Sequence, residues 1–153
     1  MQHSSTSKTR SIGSCHCMAL RRAARRISAM YDDALSATGL RATQFAILAT
    51  LNASDGISVN ELADQLDLDR TTTGKNLRPL ERDGLIAIVV SAKDRRSRVI
   101  ALTPAGRRRV GEAFPLWAQA QKNFEAANGR RKSRNLRSEL NQLRIDSKQL
   151  QPA

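Results

Sequence analysis

Leu20, Ala23, Ala24, Ile27, Tyr31, Ala34 and Leu35 recur at steps of three and four residues, while Arg21, Arg22, Arg25, Arg26, Asp32 and Asp33 take the other faces. That period predicts an amphipathic helix of about five turns, from Cys17 to near Gly39. A second, shorter helix is expected over 41–52, where Phe45, Ile47, Leu48 and Leu51 are apolar, and Asp55-Gly56 breaks it. Ser58-Val59-Asn60-Glu61 has the spacing of a capping box, so a third helix opens at Ser58, with Leu62, Ala63, Leu66 and Leu68 as its apolar positions. Asp69 offers another N-cap oxygen. A fourth helix then runs from Arg70 to Arg82, with Leu77 and Leu80 inward and Gly84 as its C′ residue; Pro79 implies a bend near its last turn or an early finish.

After Gly84 the pattern turns strand-like. Residues 85–90 are apolar and largely β-branched, 98–102 alternate, and the polar stretch 91–97 joins them, which predicts a β-hairpin. Thr103-Pro104 starts a fifth helix, containing Val110, Phe114, Leu116, Trp117, Ala118, Ala120 and Phe124, bent at Pro115 and stopping near Asn128-Gly129. A last helix begins about Arg131. Its Leu136, Leu140, Leu143 and Leu150 fall at four-, three- and seven-residue steps, a narrow seam remote from the other elements that is expected to seek a second copy of the chain, making a homodimer. The fold class is therefore mainly α with a small β-hairpin wing. Its expected divisions are a disordered arm over 1–14, an N-terminal helix over 15–38, a winged helix-turn-helix over 40–103 and C-terminal helices over 104–153.

Composition narrows the function. The 153 residues suit about one domain. The longest apolar run, 85–90, is far short of the roughly 18 to 20 residues that cross a bilayer, so no membrane role is expected. Residues 1–14 lack the apolar stretch of a secretory signal, and two cysteines one residue apart make no disulfide framework, which points to the cytoplasm. The histidines, His3 and His16, sit in or beside the arm, and neither a phosphate-binding glycine loop nor a carboxylate pair is present. No enzyme, cofactor or metal is expected.

Charge is concentrated where the motifs are. The chain carries a formal +12, and between Arg70 and Arg109 eleven basic residues face three acidic ones, a net +8. Helix, tight turn, helix and hairpin in that order form a winged helix-turn-helix, whose second helix enters the DNA major groove. Arg70, Thr71, Thr72, Thr73, Lys75, Asn76 and Arg78 are the candidate contacts there: a guanidinium for guanine, hydroxyls and methyls for phosphate and thymine, an amide for adenine. On the wing the candidates are Lys93, Asp94, Arg95, Arg96 and Arg98, suited to a narrow, negative minor groove. A solvated basic face, a sequence-blind architectural binder, or a winged domain for RNA or protein are the competing readings.

Asp94-Arg95-Arg96 followed by an apolar strand and Leu102-Thr103-Pro104-Ala105-Gly106 resembles the MarR family of bacterial transcription regulators. So do Glu61-Leu62-Ala63, Asp69-Arg70-Thr71-Thr72 and the run from Leu80 to Ile86. The likeness covers about residues 17 to 125. It implies a two-fold dimer whose terminal helices interlock, with Leu20 and Ile27 joining Leu136, Leu140, Leu143 and Leu150, and double-stranded DNA as partner at a near-palindrome. It also implies that Asp94 steadies Arg96 for the minor groove, although Arg95 fits that role equally. Such regulators are usually repressors relieved by a small aromatic or phenolic effector. Carried onto this chain, Met30, Tyr31, Phe45, Phe114 and Trp117 are the pocket candidates, each with plain core packing as the alternative. Cys15 and Cys17 are open to three readings: inert, redox-sensing beside Arg21 and Arg22, or metal-binding.

Overall fold

Ser58, Asp69 and Thr103 each accept the backbone N–H three residues on, at 3.2, 2.8 and 3.0 Å, and each opens a helix. The computed structural model describes residues 12–91, 94 and 98–143. Its elements are α1 (His16–Leu35), α2 (Ala42–Asn52), α3 (Val59–Gln65), α4 (Arg70–Arg82), strands β1 (Ile86–Val90) and β2 (Arg98–Leu102), α5 (Pro104–Asn128) and α6 (Arg130–Asn141). Mainly helical with one antiparallel hairpin, this is the expected class. Two short 3-10 turns, Ile12–Ser14 and Ser36–Thr38, flank α1. The first of these falls at the end of the expected arm, whose residues 1–11 lie outside the described residues.

Helix ends follow from local chemistry. At the close of α3, Leu68 N–H donates to Ala63 O and Asp67 N–H to Asp64 O, with Asp67 at φ 51°. At the close of α4, Leu85 N–H donates to Leu80 O and Gly84 N–H to Glu81 O, with Gly84 at φ 69°. Both are Schellman closures, and the second also pairs buried Leu80 with buried Leu85. The early finish that Pro79 allows does not occur. The helix continues to Arg82, and Asp83 N–H donates to Pro79 O.

The core gathers Leu35, Leu40, Phe45, Ile47, Leu48, Leu51, Leu62, Leu77, Leu80, Leu85, Ile86, Ile100, Leu102 and Val110. The hairpin pairs Ile86 with Leu102 through Val90 with Arg98, and Ile57 adds one antiparallel bridge to Ile100. A single bridging residue carries no periodicity, which is why the sequence pattern does not reveal it. Asp32 joins two helices: one oxygen accepts the Ala42 N–H at 2.7 Å and the other meets the Arg41 guanidinium at 3.1 Å.

The C-terminal seam differs from expectation in two ways. The helix stops at Asn141, so Leu143 lies beyond its end, and Leu150 lies outside the described residues. Nor is the seam remote, because α6 packs on α5 and its leucines share a hollow with α1.

Candidate nucleic-acid interface

The two faces of α4 are separated by sequence spacing alone. Thr73, Leu77 and Leu80, at steps of four and three, are buried against α2, α3 and β1. Thr71, Lys75, Arg78 and Arg82, at steps of four, three and four, are exposed on the opposite side, and Arg70 is exposed at the helix start. Burial of the leucine side therefore forces the cationic side outward. Arg82 pairs with Asp83 at 3.0 Å; among the described residues Arg70, Lys75 and Arg78 form no ion pair.

One of the expected contacts needs revision, and two others are bonded within the helix. Thr73 is fully buried, and its hydroxyl donates to Asp69 O at 2.9 Å, so it belongs to the helix and not to a DNA-facing surface. The four-residue step to Leu77 and the seven-residue step to Leu80 were the available signal that Thr73 lies on the inner side. Thr72 donates its hydroxyl to an Asp69 carboxylate oxygen at 2.5 Å, and Asn76 donates its amide to Thr72 O at 2.9 Å. Both are half-buried and already partnered. The Thr72 bonds, first from the side chain and then from the backbone, hold the Asp69 carboxyl below the usual carboxylate range.

At the Val90–Arg98 end of the hairpin, Val90 and Arg98 are both exposed. Asp94 is exposed and its N–H donates to Ser91 Oγ at 3.4 Å. Lys93, Arg95 and Arg96 lie outside the described residues, as therefore does the expected Asp94–Arg96 contact. The hairpin is fixed to α4 and α5 through Thr103: its hydroxyl approaches Gly84 O at 2.7 Å and Leu85 O at 3.0 Å, and its N–H donates to Leu85 O at 3.1 Å. In the following turn Arg109 serves the fold, donating to Thr38 O at 2.7 Å and lying 3.5 Å from Glu112.

Two hollows away from this face hold pocket candidates. One, of about 360 Å³, is lined by Tyr31, Ala42, Phe45, Ala46, Ala49, Thr50 and Trp117. The Trp117 ring is 5.9 Å from Phe45 and 5.5 Å from Phe114, and Phe114 is largely exposed. Tyr31 donates its hydroxyl to Gln121; burial and then Glu125 raise its pKa, against the lowering effect of Arg137. Of the five pocket candidates, Tyr31, Phe45 and Trp117 thus share one cleft, Phe114 extends the ring cluster, and Met30 lines the other hollow. That second space, about 630 Å³, lies between α1 and α6 and is walled by Leu20, Ala23, Ile27, Met30, Phe124, Leu136 and Leu140 among others. Leu20, Leu136, Leu140 and Leu143 are all more than 40% exposed. Cys15 is half-buried ahead of α1, and Cys17 is exposed in its first turn; both are free thiols.

Comparison with known proteins converges on one group. A profile of the MarR family matches residues 38–97. The transcriptional regulator MosR of M. tuberculosis, in complex with DNA, is 38% identical with a TM-score of 0.69, over 84% of this chain and 99% of that one. The transcriptional repressor CouR, bound to p-coumaroyl-CoA, is 26% identical with a TM-score of 0.76, over 87% and 94%. The transcriptional activatory protein BadR of Rhodopseudomonas palustris is 38% identical over 77 residues, a match spanning 48% of this chain and 44% of BadR.

Proposed function

The chain belongs to the MarR family of DNA-binding transcriptional regulators, and from that premise we propose that it represses transcription as a homodimer on a near-palindromic operator. One observation carries the reading: Arg70, Thr71, Lys75 and Arg78 stand outward on a helix whose other side is locked into the core. A rigid cationic helix can enter a major groove without reorganising, and Arg98 on the adjoining wing extends the contact toward the minor groove. The dimer reading is supported by the uncovered leucines of α1 and α6, apolar area that a second copy would remove from water. Two lobes related by a two-fold axis would read half-sites about 34 Å apart.

Release belongs to the aromatic cleft. A flat ring entering between Phe45 on α2 and Trp117 on α5 would press on α2, which packs against α4. A ligand shifts such an equilibrium only by its differential affinity for the DNA-bound and free arrangements, so the effector must fit a cleft that DNA binding narrows. The relative that holds p-coumaroyl-CoA supports an aromatic acyl compound as the class to try first.

Selection from a randomised duplex pool tests the operator. The expected product is an inverted repeat with half-sites about one helical turn apart, bound at least a thousandfold tighter than its scrambled version. Equal binding of selected and scrambled duplexes would instead establish a sequence-blind binder. Loss of reporter output when the protein is present, restored by the effector, is expected for a repressor; a gain would assign activation.

A second reading has its own observation. Cys15 and Cys17 are free, and they stand at the start of the helix that lines the α1–α6 hollow. Oxidation there would reach the subunit contact. Loss of operator binding after diamide treatment, cured by dithiothreitol and abolished in a Cys15→Ser/Cys17→Ser chain, would establish it.

A further inference from the structure

Gly74 is the fifth residue of α4, one turn from exposed Thr71 and one turn from exposed Arg78. Glycine in a helix interior is unfavourable relative to alanine, because it loses more conformational freedom on folding. Five other glycines serve the fold itself. Gly39, Gly56, Gly84 and Gly129 have positive φ, and a Cβ on Gly106 would lie 2.1 Å from Leu85 O. Gly111 on α5 meets neither condition, and nor does Gly74, the one of the two that lies on the cationic helix. It has no positive φ, and a Cβ added there would find no described atom within 4 Å beyond its own stretch of helix.

The missing methyl leaves a notch on the outer face of α4, bordered by Thr71, Lys75 and Arg78. No described residue fills that notch, which leaves it open to whatever α4 approaches. In the major groove the bulky apolar group projecting from a base edge is the thymine C5-methyl. Resting on the proposed DNA reading, we infer that Gly74 is a specificity-determining residue: its bare backbone receives a thymine methyl, with the Thr71 methyl against its side. The cost of glycine in the helix is thereby offset by closer approach at one base pair of each half-site.

The test uses the full chain, its selected operator and the variant Gly74→Ala. The variant should melt about 2 to 4 °C higher, as expected for alanine replacing an unconstrained helical glycine. It should nevertheless bind the operator about tenfold more weakly, within the range of a single base contact. Deoxyuridine, which lacks the methyl, is then placed at each thymine in turn. At one symmetric pair of positions it should weaken the wild type and restore the variant, the added and deleted methyl groups compensating. Gly111→Ala, the same change on the exposed side of α5, should raise the melting temperature and leave DNA binding unchanged. Unaltered operator binding by Gly74→Ala, or a loss that deoxyuridine rescues at no position, would overturn the notch while the DNA reading stands. A wild type that binds scrambled duplex equally well would overturn the DNA reading itself.

Discussion

Gly106→Ala should be among the most damaging single-methyl changes in this chain. A Cβ at that position would lie 2.1 Å from Leu85 O, 2.7 Å from Leu102 Cδ1 and 3.1 Å from Leu102 Cγ. Leu102 can rotate, but Leu85 O is backbone, and it also accepts from Thr103 N–H at 3.1 Å and Thr103 Oγ at 3.0 Å. Relief requires the start of α5 to move off the start of β1 by about 1 Å, the gap between 2.1 Å and an ordinary carbon–oxygen contact, which breaks or stretches both Thr103 bonds. Overpacking of about 1–3 kcal/mol and two bonds of about 1 kcal/mol each give a loss of roughly 3–5 kcal/mol. That is a large fraction of the roughly 5–15 kcal/mol that holds a domain together. For a chain of this size the melting temperature should fall by about 6 to 20 °C, and the urea midpoint should fall with no change in slope. The sign is the sharp part, because glycine to alanine in a helix ordinarily stabilises. Gly111→Ala, five residues on in the same helix, has open space for its methyl and should melt higher than the wild type. If Gly106→Ala matched or exceeded the wild type in melting temperature, the close packing of α5 on the hairpin would be wrong.

Other expectations follow from single residues. Asp67 closes α3 in the left-handed region at φ 51°, so Asp67→Gly should stabilise by about 0.5–1 kcal/mol in urea denaturation, whereas a loss would show that its side chain outweighs the backbone strain. The Asp69 carboxyl is lowered by Thr72, so its contribution to stability is complete above the unfolded aspartate range and disappears as pH falls through the folded value; Asp69→Asn should flatten the acid limb of a melting-temperature profile. Trp117 is the single tryptophan of the chain, so entry of an aromatic acid into the cleft should quench intrinsic fluorescence in a saturable way, and Phe45→Ala should weaken the titration. A quench that Phe45→Ala does not alter would move the binding elsewhere.

The legible parts of the fold are those decided over short distances. Ser58 with Glu61, Asp69 with Thr72, and Thr103 ahead of Pro104 form caps within four residues, and the structure has each helix where its cap stands. Gly84 closes α4 as its position after Leu80-Glu81-Arg82-Asp83 implies. Thr73 shows where reading by residue type goes astray. A threonine in a basic helix invites assignment to a phosphate or base edge, yet its four-residue step to Leu77 puts it inside, where it is buried and its hydroxyl is satisfied by Asp69 O. Helical phase outranks side-chain chemistry at such a position. Met30 parts from Tyr31 for a related reason: the two are adjacent in sequence, but neighbouring residues on a helix are about 100° apart, so they line different hollows.

Hydrophobic phase has a limit of its own, and α1 marks it. Leu20, Ile27 and Leu35 belong to the same periodic series, yet Leu35 is completely buried, Ile27 is partly covered, and Leu20 is 42% exposed. Periodicity says that a face must leave water; it does not say whether the chain itself or another molecule will cover it. The distinction is made by reach. The end of α1 nearest Leu35 meets α2, whereas the end bearing Leu20 lines a hollow with Phe124 and Asn128 of α5 and with the seam of α6, whose Leu136 and Leu140 are themselves 43% exposed. Two half-covered faces against one another leave a hollow instead of a core, and this is the physical ground on which a second copy is expected at that end and not at the other.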